Sequence, residues 1–176
     1  MTDKVKTGLP LVARADARLF ILGSLPGDAS LAARQYYAHP QNQFWRLVGL
    51  VIGEELHSLP YEMRLERLAE NGIGLWDVIG SAVRQGSLAQ AIRLANHNRI
   101  ETLAHDFPNL RAIAFNGTTS AAIGRKSIGA STHVTLIDLP SSSPANTRPF
   151  AEKAKAWAAL KALVPEDNRA EIEADD

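Results

Sequence analysis

The segment Tyr36–Trp45 concentrates aromatic and amide side chains that could bind a planar ligand; it reads YYAHPQNQFW. Aromatic rings stack on a base that has been flipped out of a nucleic acid, and amides can read the edge of that base or hold a water molecule. We single out Tyr37 for the first role and Asn42 for the second. As alternatives, Asn42 only caps the next helix, and Phe44 and Trp45 are core residues at its start.

Residues that suit close contact with a ligand also occur at the ends of two apolar runs. The segment GSLPGDASL begins at Gly23, and its glycines and proline predict a sharp turn whose amides approach an anion or a base. It matches neither a phosphate-binding P-loop nor a nucleophile elbow, and an ordinary strand-to-helix turn is an equal alternative.

Asp77 ends the apolar stretch LWD, where a buried carboxylate is costly unless it is paired or takes part in ligand binding or catalysis. Capping of the next turn is the alternative for Asp77.

Two motifs in the second half of the chain have the same character. Asn116 lies in the segment FNGTT, where it either faces a ligand or caps the following helix. The segment LPSSSPANT begins at Leu139 and places three serines before a helix, an arrangement that suits phosphate contacts through hydroxyl and amide groups. A generic turn rich in serine and proline is the alternative for this segment.

Apolar periodicity predicts the elements that must position these motifs. The predicted strands are Ala17–Gly23, Ile73–Ile79, Arg111–Asn116 and His133–Leu139, and the predicted helices are Phe44–Gly53, Tyr61–Asn71, His97–Asp106, Thr118–Gly124 and Pro149–Leu163. Strands that alternate with helices predict a parallel sheet covered on both faces. Ligands of such sheets bind beyond the carboxyl ends of the strands, and all five motifs fall at that edge.

Composition limits the class of protein further. The 176 residues suit one domain, no apolar run approaches the roughly 20 residues of a membrane helix, and no secretory signal follows the N-terminal lysines. The chain has no cysteine, and its five histidines lack metal-binding spacing. We therefore expect a cytoplasmic protein, most simply a monomer, that needs no metal or cofactor and does not bind membranes.

The charge distribution is uneven although the formal net charge is zero. Residues 166–176 carry six acidic side chains and one basic side chain, which leaves a net charge of +5 on residues 1–165. We expect residues 1–165 to form the domain and residues 166–176 to be a disordered acidic tail that folds back over a basic surface. A domain of this charge is compatible with DNA as its partner.

Four of the motifs together resemble the uracil-DNA glycosylase superfamily, and they are GSLPG, YYAHPQNQFW, AFNG and LPSSSPAN. Within it the chain is similar to the mismatch-specific thymine/uracil branch and, more closely, to the hypoxanthine (deoxyinosine) DNA glycosylases. The resemblance spans residues 19–163 and implies a single-domain, three-layer α/β/α fold around a four-stranded parallel sheet. It implies a monofunctional, metal-free enzyme that flips a deaminated base, hypoxanthine or else uracil or xanthine, out of DNA. Hydrolysis of the N-glycosidic bond then leaves an abasic site.

The resemblance also implies which residues act on the base. Mismatch-specific relatives have an Asn in the first motif that positions the attacking water, but Leu25 stands there in this chain, so Asn42 is expected to hold the water. Asp77 lies where uracil-specific enzymes place a base-reading Asn and is expected to accept the N1–H of hypoxanthine. Asn116 is expected to donate to O6 or N7 of that base. The base itself is expected between two rings, with glycine and leucine of the first motif beside it: Tyr37, Phe44, Gly23 and Leu25.

The remaining implied contacts are with the DNA backbone. Ser24, Ser141, Ser142 and Ser143 are expected to hold the phosphates that flank the lesion. Relatives have an Arg that fills the vacated base stack, whereas Ala145 and Asn146 occupy its place in this chain. Pro144, Ala145 and Asn146 are expected to contact the DNA. Two other functions stay open. Leu25 is compatible with a non-catalytic nucleic-acid-binding protein on the same scaffold, and a hydrolase of free nucleosides would not need the serine-rich segment.

Overall fold

The computed structural model describes residues 4–84, 87, 92–130 and 132–165. Within these residues the strands are β1 (Val5–Thr7), β2 (Leu19–Gly23), β3 (Ile73–Asp77), β4 (Ile79–Arg84), β5 (Ile92–His97), β6 (Ala112–Asn116) and β7 (Thr135–Leu139). The α-helices are α1 (Asp28–Ala33), α2 (Phe44–Ile52), α3 (Tyr61–Glu70), α4 (Leu103–Asp106), α5 (Thr118–Ile128) and α6 (Phe150–Trp157). Short 3-10 helices cover Leu56–Ser58, Ile100–Thr102 and Ala158–Leu163. The acidic segment 166–176, for which we expected disorder, lies outside the described residues.

The predicted four-stranded parallel sheet is confirmed, with the strand order β3-β2-β6-β7. Strands β2 and β6 occupy its centre, and every residue of both is buried. The parallel register brings the last residue of β2, Gly23, beside the last residue of β3, Asp77. It also aligns Asn116 at the end of β6 with Leu139 at the end of β7. All four strands therefore end at one edge.

Helices cover both faces of this sheet, as expected for three layers. On one face Leu19 and Ile21 of β2 pack in a cluster with residues of α2, α3 and α6. On the other face Phe20 and Leu22 pack with residues of α4 and α5 and with part of β4. Alternating residues of β2 thus face opposite helical layers, which explains why its sequence is continuously apolar. Among the described residues no helix is long and apolar enough to cross a membrane.

A second, antiparallel sheet with the order β1-β4-β5 was not predicted. The predicted strand Ile73–Ile79 divides, because β3 ends at Asp77 and β4 begins at Ile79 in the second sheet. The predicted helix His97–Asp106 is wrong over its first residues, since His97 ends β5. The reason lies in Asn98, whose backbone amide donates to Val78 O at 2.9 Å and whose side-chain Nδ2 donates to Asp77 O at 2.8 Å. These bonds hold the chain against the sheet.

Candidate active site

A cavity of about 750 Å³ opens at the carboxyl edge of the parallel sheet. The last residue of each of the four parallel strands lines it, as do residues of all the motifs singled out above. Of the site residues predicted from the sequence, only Phe44 is absent from the cavity wall. The residues that line the wall are Gly23, Ser24, Leu25, Tyr37, Asn42, Asp77, Asn116, Ser141, Ser142, Ser143, Pro144, Ala145 and Asn146. The sheet therefore brings together residues that are more than a hundred positions apart in the sequence.

Asp77 is a buried carboxyl group in the cavity wall, with 4% of its surface exposed. Its Oδ2 atom has no hydrogen-bond partner within the described residues. Burial raises the pKa of Asp77 to about 7, and the charge of Arg84 opposes this rise. The neighbouring Gly23 makes this position of the carboxyl group feasible, because a Cβ atom on residue 23 would lie 2.5 Å from Asp77 Oδ1. Asp77 can therefore both accept and, when protonated, donate a hydrogen bond near neutral pH.

Tyr37 places a phenol beside that carboxyl group. Its backbone has a φ of 55° in the left-handed region, and its carbonyl oxygen accepts a hydrogen bond from Trp45 Nε1 at 3.2 Å. Its hydroxyl oxygen is buried and, among the described residues, has no hydrogen-bond partner. Burial raises the pKa of Tyr37, the nearby Asp77 adds to the effect, and the neighbouring Asn116 side chain opposes it. The hydroxyl group is therefore neutral and can donate a hydrogen bond into the cavity.

The expected position of a base between Tyr37 and Phe44 is wrong for this structure. The two rings already stack on each other, with centroids 3.9 Å apart and planes tilted by 15°. Phe44 is fully buried and does not line the cavity, so the alternative of a core residue describes it better. It supports the ring of Tyr37 from behind, which leaves Tyr37 as the ring that a ligand can reach.

Asn42 lies at the cavity wall immediately before α2. Its Oδ1 accepts a hydrogen bond from the backbone amide of Phe44 at 2.9 Å, so it stabilises the helix start as the alternative interpretation held. The side chain is only partly buried and also lines the cavity. A carbonyl oxygen has two lone pairs and the amide nitrogen has two protons, so this bond leaves polar capacity for a second contact. Capping and a role in the cavity are therefore compatible.

Asn116 and Ser142 form a closed pair across the strand ends. Asn116 Nδ2 donates to Ser142 Oγ at 2.9 Å, and the backbone amide of Ser142 donates to Asn116 Oδ1 at 2.9 Å. This pairing corrects two expectations. Asn116 holds the serine-rich segment in place and has only one Nδ2 proton left for a base. Ser142 is 1% exposed, so its hydroxyl group does not reach a phosphate.

Residues 141–146, which include Ser142, form the outer wall of the cavity and are called the serine loop below. Ser141 Oγ accepts from the amide of Ser143 at 3.1 Å, and Ser143 Oγ accepts from the amide of Ala145 at 3.2 Å. Because both hydroxyl groups act as acceptors here, their own protons remain for a ligand. Pro144 and Ala145 are exposed at the rim, where they can meet DNA.

Two buried cations near the cavity escaped the sequence-based prediction. Arg84 on β4 is 3% exposed and donates to the carbonyl oxygens of Leu25, at 3.3 Å, and of Pro26. It thereby fixes the turn of the first motif, while the Leu25 side chain packs into the apolar cluster beneath. Lys153 on α6 is 1% exposed and contacts the serine loop from inside the protein. Nothing in the local sequence of either residue distinguishes it from a surface cation.

The fold and the cavity define a three-layer α/β/α protein with a ligand site at the carboxyl edge of its parallel sheet. Among the described residues there is no group of three or more histidine or acidic side chains that could hold a metal ion. The chain belongs to the uracil DNA glycosylase superfamily, whose family model matches residues 10–161.

Individual relatives are similar over nearly the whole chain. A protein from Methanosarcina barkeri named hypoxanthine DNA glycosylase is 41% identical over 155 residues, which cover 87% of this chain and 96% of the relative. A protein of the same name from Methanosarcina acetivorans is 40% identical over 158 residues, covering 89% and 98%. A solution NMR structure from Methanosarcina acetivorans, of a protein described as a candidate uracil DNA glycosylase, superimposes with a TM-score of 0.79. Its sequence is 39% identical, and the match covers 90% of this chain and 97% of that one.

Proposed function

We propose that this protein is a monofunctional DNA glycosylase that removes deaminated bases, hypoxanthine foremost. It flips the base out of DNA, hydrolyses the N-glycosidic bond and leaves an abasic site. Membership of the superfamily and the two relatives named hypoxanthine DNA glycosylase support this activity. The observation that carries the proposal is the pair of buried polar groups, Asp77 and Tyr37, that have unsatisfied atoms in the cavity wall. Because residues of one chain line the whole cavity, a monomer suffices for the reaction.

Asp77 and Tyr37 together match the edge of hypoxanthine. That edge presents the N1–H donor next to the C6=O acceptor. The ionised carboxyl group of Asp77 accepts from N1–H, and the neutral hydroxyl group of Tyr37 donates to O6. The two groups are adjacent, since Asp77 Oδ1 and Tyr37 Oη both lie within 3.0 Å of the Cβ position of residue 23. Adenine presents the opposite pattern, with an amino group at C6 and an acceptor at N1, whereas uracil shares the N–H and C=O pair.

The stacked rings of Tyr37 and Phe44 hold the Tyr37 hydroxyl group at the edge of the base. This arrangement replaces the expected insertion between the two rings. The stacked pair is rigid, because Phe44 is fully buried and Tyr37 is held by its bond to Trp45. A rigid platform of this kind orients the base without a further conformational change.

Asn42 holds the water molecule that completes hydrolysis. The bond between the sugar C1′ and the base nitrogen breaks with its electron pair leaving on the base, and positive charge develops on the sugar. Hydrogen bonds from the cavity wall to the departing base stabilise that charge separation, and the DNA phosphates stabilise the sugar. The water held by Asn42 then adds to C1′, and the proton it gives up neutralises the negative charge left on the departing base. Leu25 is apolar and packed in the core, so it cannot take over this role.

The serine loop and Ser24 bind the phosphates that flank the extruded nucleotide. Ser141 and Ser143 offer hydroxyl protons at the cavity wall, because their oxygens already accept backbone amides, and Ser24 lines the same cavity. Ser142 and Asn116 act indirectly by fixing the loop. Such contacts position the DNA strand and contribute no sequence preference.

A panel of oligonucleotides tests this function, each carrying one modified base and incubated with enzyme in excess before alkaline cleavage. We expect cleavage at deoxyinosine, weaker cleavage at uracil, and no loss of activity in the presence of a chelator. A panel without any alkali-labile site would support the non-catalytic alternative. Release of base from free deoxyinosine, with DNA left intact, would support the nucleoside hydrolase.

A further inference from the structure

Lys153 is a buried cation whose contacts are all to uncharged oxygens. Its Nζ donates to Gln43 Oε1 at 3.0 Å, to the carbonyl oxygen of Asn146 at 2.8 Å and to that of Ser143 at 3.3 Å. No carboxylate of the described residues forms an ion pair with it. The ammonium group is thus satisfied in its hydrogen bonds, but its positive charge is not neutralised by the protein.

Keeping such a charge inside the protein is unfavourable unless something offsets it. Burial lowers the pKa of Lys153, and the like charge of Arg148 lowers it further. A methionine or leucine would fill the same volume without this penalty. The charge is therefore better explained by an anion that binds close to it than by packing.

The position of Lys153 indicates where that anion binds. Two of its acceptors are backbone oxygens of the serine loop, so the ammonium group lies directly behind the loop that faces the cavity. Because a trans peptide holds its C=O and N–H on opposite sides, the Asn146 carbonyl that points at Lys153 directs the Thr147 amide away from it. Arg148 is exposed and lines the same cavity. Positive potential therefore accumulates at the cavity side of the loop.

Lys153 also joins this loop to the segment that carries Asn42. Its bond to Gln43 Oε1 acts on the residue next to Asn42, and the backbone amide of Gln43 donates to Ser142 O at 3.0 Å. The phosphate-binding wall and the water-binding residue are thus tied at two points. An anion held by the loop is placed at a fixed distance from Asn42.

We propose that Lys153 is a positioning residue that supplies a buried positive charge behind the serine loop. Through the loop it attracts a DNA phosphate and holds that phosphate in register with Asn42. The inference rests on the proposed function only in taking DNA as the ligand, and it does not require that the base is removed.

The salt dependence of DNA binding tests this role, measured by fluorescence anisotropy with an undamaged duplex oligonucleotide. For the wild type we expect a slope of roughly −3 to −5 in a plot of log affinity against log salt concentration. Lys153→Gln keeps a hydrogen-bond donor and removes the charge, so its slope should be shallower by about one. Its affinity should fall roughly threefold to tenfold at low salt and approach that of the wild type at high salt. Lys153→Arg should keep the wild-type slope.

Lys155 provides the matched control, because it lies on the same helix but is exposed. Lys155→Gln should change the slope by less than Lys153→Gln does. If Lys153→Gln has the wild-type slope and merely a lower thermal midpoint, Lys153 has a structural role alone and the proposal is wrong. Equal slopes for the two glutamine variants would also overturn it.

A measurement on the wild type covers the case in which Lys153→Gln does not fold. In protein labelled with ¹³C at the lysine ε-carbons, the titration midpoint of Lys153 should rise when the undamaged duplex binds. An unchanged midpoint in the complex would overturn the proposal. A wild type that binds DNA with the expected slope but releases no base would refute the glycosylase function and leave this inference standing. A wild type that binds no DNA would refute both.

Discussion

The two walls of the cavity differ in how their buried polar groups are satisfied. In the wall formed by the serine loop, Asn116 and Ser142 are hydrogen-bonded to each other. Lys153 donates to a backbone oxygen of the loop. In the opposite wall, the Asp77 carboxyl group and the Tyr37 hydroxyl oxygen are also inaccessible to solvent, yet Asp77 Oδ2 and Tyr37 Oη have no partner within the described residues.

This difference separates the scaffold of the site from its ligand contacts. A fully satisfied polar network is rigid and holds one conformation, whereas an unpaired buried polar atom costs free energy that the fold must supply. The satisfied wall can bind DNA phosphates through its outer surface without rearrangement. The unsatisfied wall retains polar atoms that can bond to a ligand in the cavity. Substitutions in each wall test this division.

Replacing Asn42 should have the largest effect, because it removes the group that holds the attacking water. We expect Asn42→Ala to lower the single-turnover rate of hypoxanthine release by about 10²-fold or more, the scale of one lost transition-state hydrogen bond. Binding to undamaged DNA should barely change. Loss of the helix cap alone would cost about 1 kcal/mol of stability and leave the rate of the folded enzyme intact. Thermal midpoint and rate are to be measured on the same preparation.

Asn42→Asp separates the two roles of this side chain. An aspartate keeps an oxygen that accepts from the Phe44 amide, so the thermal midpoint should remain close to that of the wild type. It loses the amide protons and adds a charge near the DNA, so base release should remain strongly impaired. A variant with the wild-type rate would show that only the cap matters.

Gly23→Ala should disturb the unsatisfied wall. The new Cβ would lie 2.5 Å from Asp77 Oδ1 and 3.0 Å from Tyr37 Oη, so the two base-reading groups must move apart. A displacement of about 1 Å at a reacting site can cost 10²-fold, and we expect a loss of roughly 10- to 100-fold in kcat/KM for deoxyinosine DNA. Gly8→Ala is the matched control, since its nearest contacts would lie at 3.4 Å and it is outside the site. Equal rates for both variants would contradict the proposed geometry.

The pH dependence of base release should report on Asp77. Its pKa is raised to about 7, and the ionised form is the one that accepts from N1–H of hypoxanthine. We expect kcat/KM, which reports on the free enzyme, to rise through a midpoint near 7. In Asp77→Asn this rise should be absent and the rate at high pH lower. A profile shared by both proteins would rule out Asp77 as the titrating group.

The free energy of unfolding should fall as the pH rises, because of Asp77, whereas kcat/KM should rise. In the folded state the carboxyl group ionises near pH 7, whereas the ordinary value is 3.8. Its contribution to stability is therefore fully present below the unfolded pKa and is lost as the pH rises through 7, at about 1.4 kcal/mol per unit of difference. Asp77→Asn should gain stability over the wild type as the pH rises from about 4 to about 7, with no further gain above that, measured by denaturant unfolding. A constant difference would contradict the raised pKa.

Removal of residues 166–176 should have the smallest effect, because it acts through screened charge. If this acidic segment competes with DNA for the basic domain, its loss should raise affinity for undamaged DNA a few-fold at low salt. The rate of base release under single-turnover conditions should stay the same. Unchanged affinity would show that the segment plays no part in binding.

The parallel sheet could be predicted because its strands are distinctive in sequence. The runs LFILG and AIAFN are continuously apolar, as strands buried on both faces must be. The antiparallel strands could not be predicted in the same way. β1 (VKT) and β5 (IRLANH) mix polar and apolar residues, and their pairing with β4 gives them their structure.

The same limit applies to the site. Residues at strand ends could be assigned to the cavity from the topology of a parallel sheet alone. Side-chain pairing could not, because the contact between Asn116 and Ser142 joins positions 26 residues apart. It buries the Ser142 hydroxyl group and leaves Asn116 a single amide proton for a ligand. The burial of Lys153 also cannot be predicted from the sequence FAEKAKAW, because Lys155 lies on the same helix and is exposed. Only tertiary contacts distinguish the two lysines.

The central claim is that the cavity removes a deaminated base from DNA by hydrolysis, and mass spectrometry tests it most directly. A duplex with one deoxyinosine is incubated with enzyme in excess and with chelator, and the masses of the strand and of the small products are measured. We expect free hypoxanthine in the same amount as an unbroken strand that carries an abasic site, and no release of base from free deoxyinosine. A strand whose mass is unchanged under these conditions would refute the glycosylase function.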